Sequence, residues 1–199
     1  MNIRQALEER KRPLVLDGGF GTMVQRYGLK EEDFRGYRYR DIPGMLLGNN
    51  EMLCLTRPDV VGDIYRAYVG AGVDILTANT FSANYISQAD YNCQHLVADM
   101  NREAVRLARK AFADSGREGF VIATVGPTNK SLSISPDIND PACRAITFDQ
   151  LAEAYIGQME VLAQEGVDAI LLETVFDTLN AKAGICAMQE ATQRTGKDI

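Results

Sequence analysis

Long apolar runs are missing from this 199-residue chain: no stretch approaches the roughly 20 residues that a membrane span requires. The N-terminus also lacks an apolar h-region, since Met1 to Arg12 is charged, so it is not read as a secretory signal. Basic residues are the minority, 21 Lys and Arg against 27 Asp and Glu, which leaves a net charge of -6. With no large basic cluster, that balance argues against a nucleic-acid partner. Histidine occurs once, at His95, and no CxxC is present among Cys54, Cys93, Cys143 and Cys186. Dispersed cysteines in mostly apolar surroundings read as reduced, semi-buried thiols of a cytoplasmic protein.

The remaining local candidates are modest. Cys93 and His95 resemble half a metal site, but zinc needs three or four protein ligands and no others are close in sequence. His95 is therefore read as a surface or packing residue before a helix. Cys143 lies in a long loop without an evident base, and Cys54 and Cys186 read as core residues. Arg35-Gly36-Tyr37-Arg38-Tyr39-Arg40 is basic and aromatic, yet short and set in an acidic chain. It reads as a solvated or partner-facing loop, with Phe34 as a buried anchor.

What is present is 46% hydrophobic and 24% charged, the balance of an ordinary globular domain of a length able to bury a core. Four apolar runs predict strands: Pro13–Leu16, Val73–Ala78, Phe120–Val125 and Ala169–Leu172. Helical spacing follows over Arg57–Gly70, Ala98–Ala113, Asp149–Gln164 and Thr178–Arg194, with Pro58 in a first turn and Asp149 as a cap. The order βαβαβαβα predicts a parallel α/β sheet. Gly72-Val73-Asp74 and Gly166-Val167-Asp168 echo one another, which makes their two βα units equivalent in space. The strand-to-helix connections near 26–56 and 127–148 are long, and all such loops leave a parallel sheet on one face. The first βα turn lacks the third glycine of a dinucleotide fingerprint. Four βα units, ending at Gly196-Lys197-Asp198-Ile199 as if entering a fifth strand, predict the N-terminal half of a TIM-type (βα)8 barrel over residues 1–199.

The most informative stretch is Leu14-Val15-Leu16-Asp17-Gly18-Gly19-Phe20-Gly21, an apolar strand running into a carboxylate and glycines. Glycine admits positive φ and close approach of a ligand. The other strand ends carry Asn79, Thr80 and Phe81, then Gly126 to Asn129, then Glu173 and Thr174. Two acids, two amides and several hydroxyls on one rim suit a small zwitterion: acids for its ammonium, N–H groups with Thr or Asn for its carboxylate. Asp17 and Glu173 also have a purely structural reading, as caps of the turns that follow them.

These residues resemble a known family over essentially the whole chain. Asp17-Gly18-Gly19, Asn79-Thr80-Phe81 and Glu173-Thr174 are similar to elements shared among homocysteine S-methyltransferases. Gly48-Asn49-Asn50, Ser133-Ile134-Ser135-Pro136-Asp137 and Phe176-Asp177-Thr178-Leu179-Asn180-Ala181-Lys182 resemble the N-terminal homocysteine-binding module of cobalamin-dependent methionine synthase. The resemblance implies a (βα)8 barrel that binds homocysteine at its C-terminal face, for methyl transfer from methylcobalamin to give methionine. It implies homocysteine contacts at Asp17, Gly18, Gly19, Asn79, Thr80 and Glu173, with Phe81 as supporting packing. It also implies a zinc ion on three cysteines of the C-terminal half of the barrel, beyond the fourth strand, in an Asn-Cys and a Gly-Gly-Cys-Cys-Gly motif, and folate- and cobalamin-binding modules as partners. This sequence contains neither cysteine motif, so no metal ligand and no catalytic residue is assigned, and the fragment alone is expected to be inactive and without tight zinc binding. Open strand edges are expected to leave it poorly soluble, partly molten or self-associated. Two further readings stay open: another barrel enzyme using Asp17 and Glu173 as acid and base, and a non-catalytic half-barrel binding module.

Overall fold

A computed structural model describes residues 2–9 and 12–198. In chain order it contains α1 (Ile3–Glu9), α2 (Phe20–Gln25), α3 (Glu31–Arg35), α4 (Leu53–Thr56), α5 (Pro58–Ala71), β1 (Ile75–Ala78), α6 (Tyr85–Ala89), α7 (Val97–Ser115), β2 (Phe120–Val125), α8 (Phe148–Gln164), β3 (Ala169–Leu172) and α9 (Thr178–Thr195). Short 3-10 turns cover Asn50–Met52 and Gln94–Leu96. Three parallel strands form a sheet in the order β1-β2-β3, with Thr77 opposite Ile122 and Thr124 opposite Leu171.

The core lies on one face of this sheet. Leu76, Ala78, Val121, Ala123 and Val125 point into it and pack with helix residues such as Ile64, Met100 and Met159. Each fully buried aliphatic side chain of this kind contributes about 1.5–3 kcal/mol. The alternate residues face the other way, and Leu171 there is 36% exposed. Among the described residues no helix is long and apolar enough to cross a membrane.

The first expected strand is shorter than the sequence implies. Leu16 makes a single parallel bridge to Ile75, and Pro13–Val15 is not strand. Pro13 has no N–H to give. The Val15 N–H goes to the Asp74 carboxylate at 2.9 Å, and the Thr77 N–H goes to the Asp17 side chain at 2.9 Å. Side chains thus take the places of ladder rungs on both sides of the bridge.

The sequence echo has a physical counterpart. Asp74 N donates to Val15 O at 2.8 Å while Val15 N donates back to Asp74 Oδ2. Asp168 N donates to Val121 O at 2.8 Å while Val121 N donates back to Asp168 Oδ2 at 2.7 Å. Each aspartate is then paired with an arginine, Arg12 for Asp74 and Arg109 for Asp168. One clamp is therefore built twice, before β1 and before β3, each time tying the strand to the extended segment preceding it in the chain. Gly72 and Gly166, just before each aspartate pair, are left-handed at φ 100° and 72° and end the helices.

Two local expectations need correction. Helix α8 is capped by Thr147 rather than Asp149: Gln150 N donates to Thr147 Oγ1 and Thr147 N to Gln150 Oε1, a reciprocal capping box. Cys186 is exposed rather than core, because α9 buries Ala183, Gly184, Ala187 and Ala191 and turns Ile185 and Cys186 outward. Cys54 is buried and His95 exposed. Gly196 ends α9 in the left-handed region, and the expected entry into a fifth strand at Ile199 lies outside the described residues.

Candidate functional site

The C-terminal ends of the strands open onto a cavity of about 510 Å³. Asp17, Gly18, Gly19, Asn79, Phe81 and Glu173 all line it. Thr80 does not: it is fully buried, and its hydroxyl donates to Thr124 O at 2.8 Å, so it ties β1 to β2 instead of facing the opening. The residues after β2 also stay outside the cavity wall, with Thr128 buried and Asn129 Nδ2 donating to Asp90.

Asp17 enters the cavity from the end of the first extended segment. Its two carboxylate oxygens accept the Thr77 N–H and the Thr77 hydroxyl, both at 2.9 Å. Burial pushes its carboxyl up to about 6; the Thr77 hydrogen bonds oppose that rise, and the charge of Glu173 adds to it. Glu173 follows β3, and its N–H still continues the ladder, donating to Val125 O at 3.1 Å. Immediately after it, Thr174 sits at φ 57°, a left-handed backbone that a β-branched residue adopts only at a cost. That strained residue turns the chain sharply off the strand at the acid.

Directly after Asp17 come Gly18 and Gly19, which need little space rather than positive φ. Neither is among the left-handed glycines, and Gly19 caps α2 at φ -61°. A Cβ on Gly18 would lie 3.1 Å from the Tyr68 hydroxyl, which itself donates to Gly19 O at 3.2 Å. Helix α2 starts at Phe20, so its first-turn N–H groups lack intrahelical partners. They supply donors beside the acids.

Asn79 and Phe81 leave β1 on a tightly held loop. Asn79 Nδ2 donates to Asn50 O at 2.7 Å, and its own N–H donates to the Tyr65 hydroxyl at 2.8 Å. Phe81 folds over Gly126, whose N–H donates to Phe81 O at 2.8 Å. A Cβ on Gly126 would come within 2.6 Å of the Phe81 ring, so only glycine fits there.

One acid in the cavity wall escapes the sequence reading. Glu51 lies next to Gly48-Asn49-Asn50, is 6% exposed, lines the cavity and accepts the Ser82 N–H at 2.8 Å. Burial pushes its carboxyl up. The signal was its adjacency to a quoted motif; its charge alone reads as an exposed turn residue. Among the described residues, three carboxylates and no Lys, Arg or His line this cavity. Its field therefore favours a ligand that brings a positive group, and the free N–H groups complement a negative one.

The residues do not fit a zinc ion. Among the described residues no three or more His, Cys, Asp or Glu side chains gather as a metal site. Cys54 is buried against the cavity-lining Asn79, and burial pushes its thiol up to about 12, the opposite of what a metal-binding thiolate needs.

Comparison with known proteins adds two findings. The family model for homocysteine S-methyltransferase matches residues 14–197. Solved structures of the homocysteine methyltransferase MmuM from Escherichia coli share the fold. The oxidized form has a TM-score of 0.72 at 18% identity, covering 98% of this chain and 63% of that one. The metallated form has a TM-score of 0.70 at 18% identity, covering 96% of this chain and 63% of that one. The chain thus spans less than two thirds of the length of these structures.

Proposed function

The chain belongs to the homocysteine S-methyltransferase family, and from that premise we propose that its cavity binds homocysteine and orients it for methyl transfer to the thiol. The observation that carries this reading is the meeting of Asp17, Glu173 and the Gly18-Gly19 main chain around one cavity. The acids take the ammonium, the N–H groups before and within the first turn of α2 take the carboxylate, and Phe81 packs against the aliphatic part. The motif resemblance extends the reading to the homocysteine-binding module of cobalamin-dependent methionine synthase. Methylcobalamin is then the methyl donor, methionine the product, and folate- and cobalamin-binding modules the partners. Zinc belongs to that resemblance only, since the described residues do not fit it.

The order of strands and helices supports reading residues 1–199 as four βα units of a (βα)8 barrel. The β3 edge and the exposed Leu171 support self-association of the isolated polypeptide, measurable by size-exclusion chromatography. Free cysteines support a cytoplasmic setting.

Titration calorimetry with homocysteine tests the reading. The isolated chain is expected to bind, and Glu173→Gln to weaken binding about tenfold, as for loss of a charge-assisted hydrogen bond. Absence of binding overturns the assignment, and unchanged affinity in the variant removes Glu173 from it.

A further inference from the structure

The loop from Asn79 to Asn84 carries three cavity-lining residues, Asn79, Phe81 and Ser82, and it is not a regular element. Main-chain bonds hold it in part, Ala83 N to Thr80 O at 3.0 Å and Gly126 N to Phe81 O at 2.8 Å among them, and side chains from elsewhere supply the rest. Tyr65 accepts the Asn79 N–H, Glu51 accepts the Ser82 N–H, and Asn101 Nδ2 donates to Ala83 O at 2.8 Å. The Thr80 carbonyl, which accepts the Ala83 N–H inside the loop, is tied to α8 by a second and shorter bond: Gln158 Nε2 donates to Thr80 O at 2.7 Å, across 78 positions of sequence.

Gln158 is costly where it stands. It is fully buried, and its Oε1 has no hydrogen-bond partner among the described residues. A buried amide that leaves its acceptor unpaired loses about what it gains, so an apolar side chain of the same shape would serve packing equally well. Its shorter bond is the one to Thr80 O; its second, to Asn101 Oδ1, is 3.3 Å long. Thr80 itself is pinned by its hydroxyl to Thr124 O. Fixing both the hydroxyl and the carbonyl of this residue fixes the plane of the peptide that leads to Phe81, and the direction of Asn79 before it.

We propose that Gln158 is a positioning residue for the ligand site: from helix α8 it locks the Thr80 carbonyl and thereby sets Asn79 and Phe81 in the cavity wall. For the affinity arm, this rests on the cavity being the homocysteine site.

The test is Gln158→Met, which keeps the length and removes both the donor and the unpaired acceptor. The expected result is a denaturation midpoint close to the parent. Amide hydrogen exchange is expected to be about tenfold faster at Phe81–Asn84 and unchanged along the rest of α8, and homocysteine affinity about tenfold lower. Parental exchange and parental affinity together overturn the proposal. So does a fall in midpoint with exchange accelerated evenly along α8, which is what a mere core role gives. If the parent protein itself fails to bind homocysteine, the functional reading falls, and exchange at Phe81–Asn84 alone still decides for or against Gln158.

Discussion

The carboxylate of Asp17 occupies the place of a main-chain rung against Thr77, accepting both the N–H and the hydroxyl of that residue at 2.9 Å. A ladder carbonyl would be neutral at every pH; this acceptor titrates. Its carboxyl stands at about 6 against an ordinary 3.8, chiefly through burial. The sign follows directly. An acid raised on folding costs nothing below its unfolded value, and the cost grows as pH rises from about 4 through about 6. If the ionised form takes the homocysteine ammonium, affinity should rise over the same range. Asp17→Asn is expected to raise the denaturation midpoint at neutral pH, lower homocysteine affinity, and flatten its pH dependence near 6. Calorimetry in buffers between about pH 5 and about pH 8 checks this; an affinity that keeps its inflection in the variant assigns the titration to another group.

Phe81 and Gly126 form a fitted pair, with the ring covering the spot where any other residue would place Cβ at 2.6 Å. Gly126→Ala must therefore displace the ring or the end of β2. Overpacking of this kind costs about 1–3 kcal/mol. The double variant Gly126→Ala/Phe81→Ala is expected to recover part of that stability without recovering homocysteine binding, because the ring's place in the wall is gone. Urea denaturation and calorimetry on the three variants separate the two effects; additive stability losses would show that the two residues do not compete for the same space.

Much of this arrangement is legible before any coordinates. Strands β2 and β3 carry uninterrupted apolar runs, and their limits, Phe120–Val125 and Ala169–Leu172, coincide with those expected. The helices that follow shift by only one or two residues, because apolar spacing at 3.6 is strong in each. The first strand is misjudged because composition does not reveal that Asp74 and Asp17 side chains intercept its ladder bonds. The rim is read as one set, yet Thr80 turns inward, since a hydroxyl at a strand end is equally able to bond the neighbouring strand. Glu51 and Gln158 are illegible for a common reason. Their significance is burial, and charged or amide side chains are ordinarily solvated.

Asp168 and Val121 exchange two hydrogen bonds at the start of β2, and Val121 is fully buried. Removing the carboxylate by Asp168→Ala leaves the Val121 N–H without its acceptor and Arg109 with only its bond to Gly166 O. The loss of a buried bond of this kind is worth about 1–3 kcal/mol. Asp168→Asn keeps an oxygen for Val121 and gives up only the partly exposed ion pair, so its cost is expected below about 1 kcal/mol. Urea denaturation of both variants distinguishes the terms: equal losses would mean that the arginine, not the main chain, is what the aspartate serves. At the equivalent Asp74 the carboxyl is held down to about 2, first by the Arg12 hydrogen bond and then, against burial, by Val15 N–H. Its stabilisation is present above the unfolded value near 3.8 and is lost as pH falls from about 4 through about 2.

Asp177 joins the 131–133 loop to the start of α9. It caps α9 by accepting from Leu179 N at 2.9 Å, and it also accepts the Ser131 hydroxyl at 2.5 Å and the Ser133 hydroxyl at 2.8 Å. Asn180, one turn on, accepts the Leu132 N–H at 3.0 Å and donates to Lys130 O at 2.8 Å. Burial alone would push the Asp177 carboxyl up; the two serines and the main-chain N–H groups outweigh it and hold the carboxyl well below the usual range. The bonds to Ser131 and Ser133 therefore favour the ionised acid, and their stabilisation is full above the unfolded value and lost as pH falls through the depressed one. Asp177→Ala is expected to cost about 2 kcal/mol, combining a lost cap with lost charge-assisted bonds. It should also free the 131–140 loop, whose Ile138 is already 96% exposed. Limited proteolysis gives the sharper check: cleavage near Ile138 should accelerate in Asp177→Ala well beyond the change in global stability, and only partly in Asp177→Asn, which keeps one acceptor oxygen. Cleavage that merely tracks the denaturation midpoint in both variants would show that the loop is held by something other than this carboxylate.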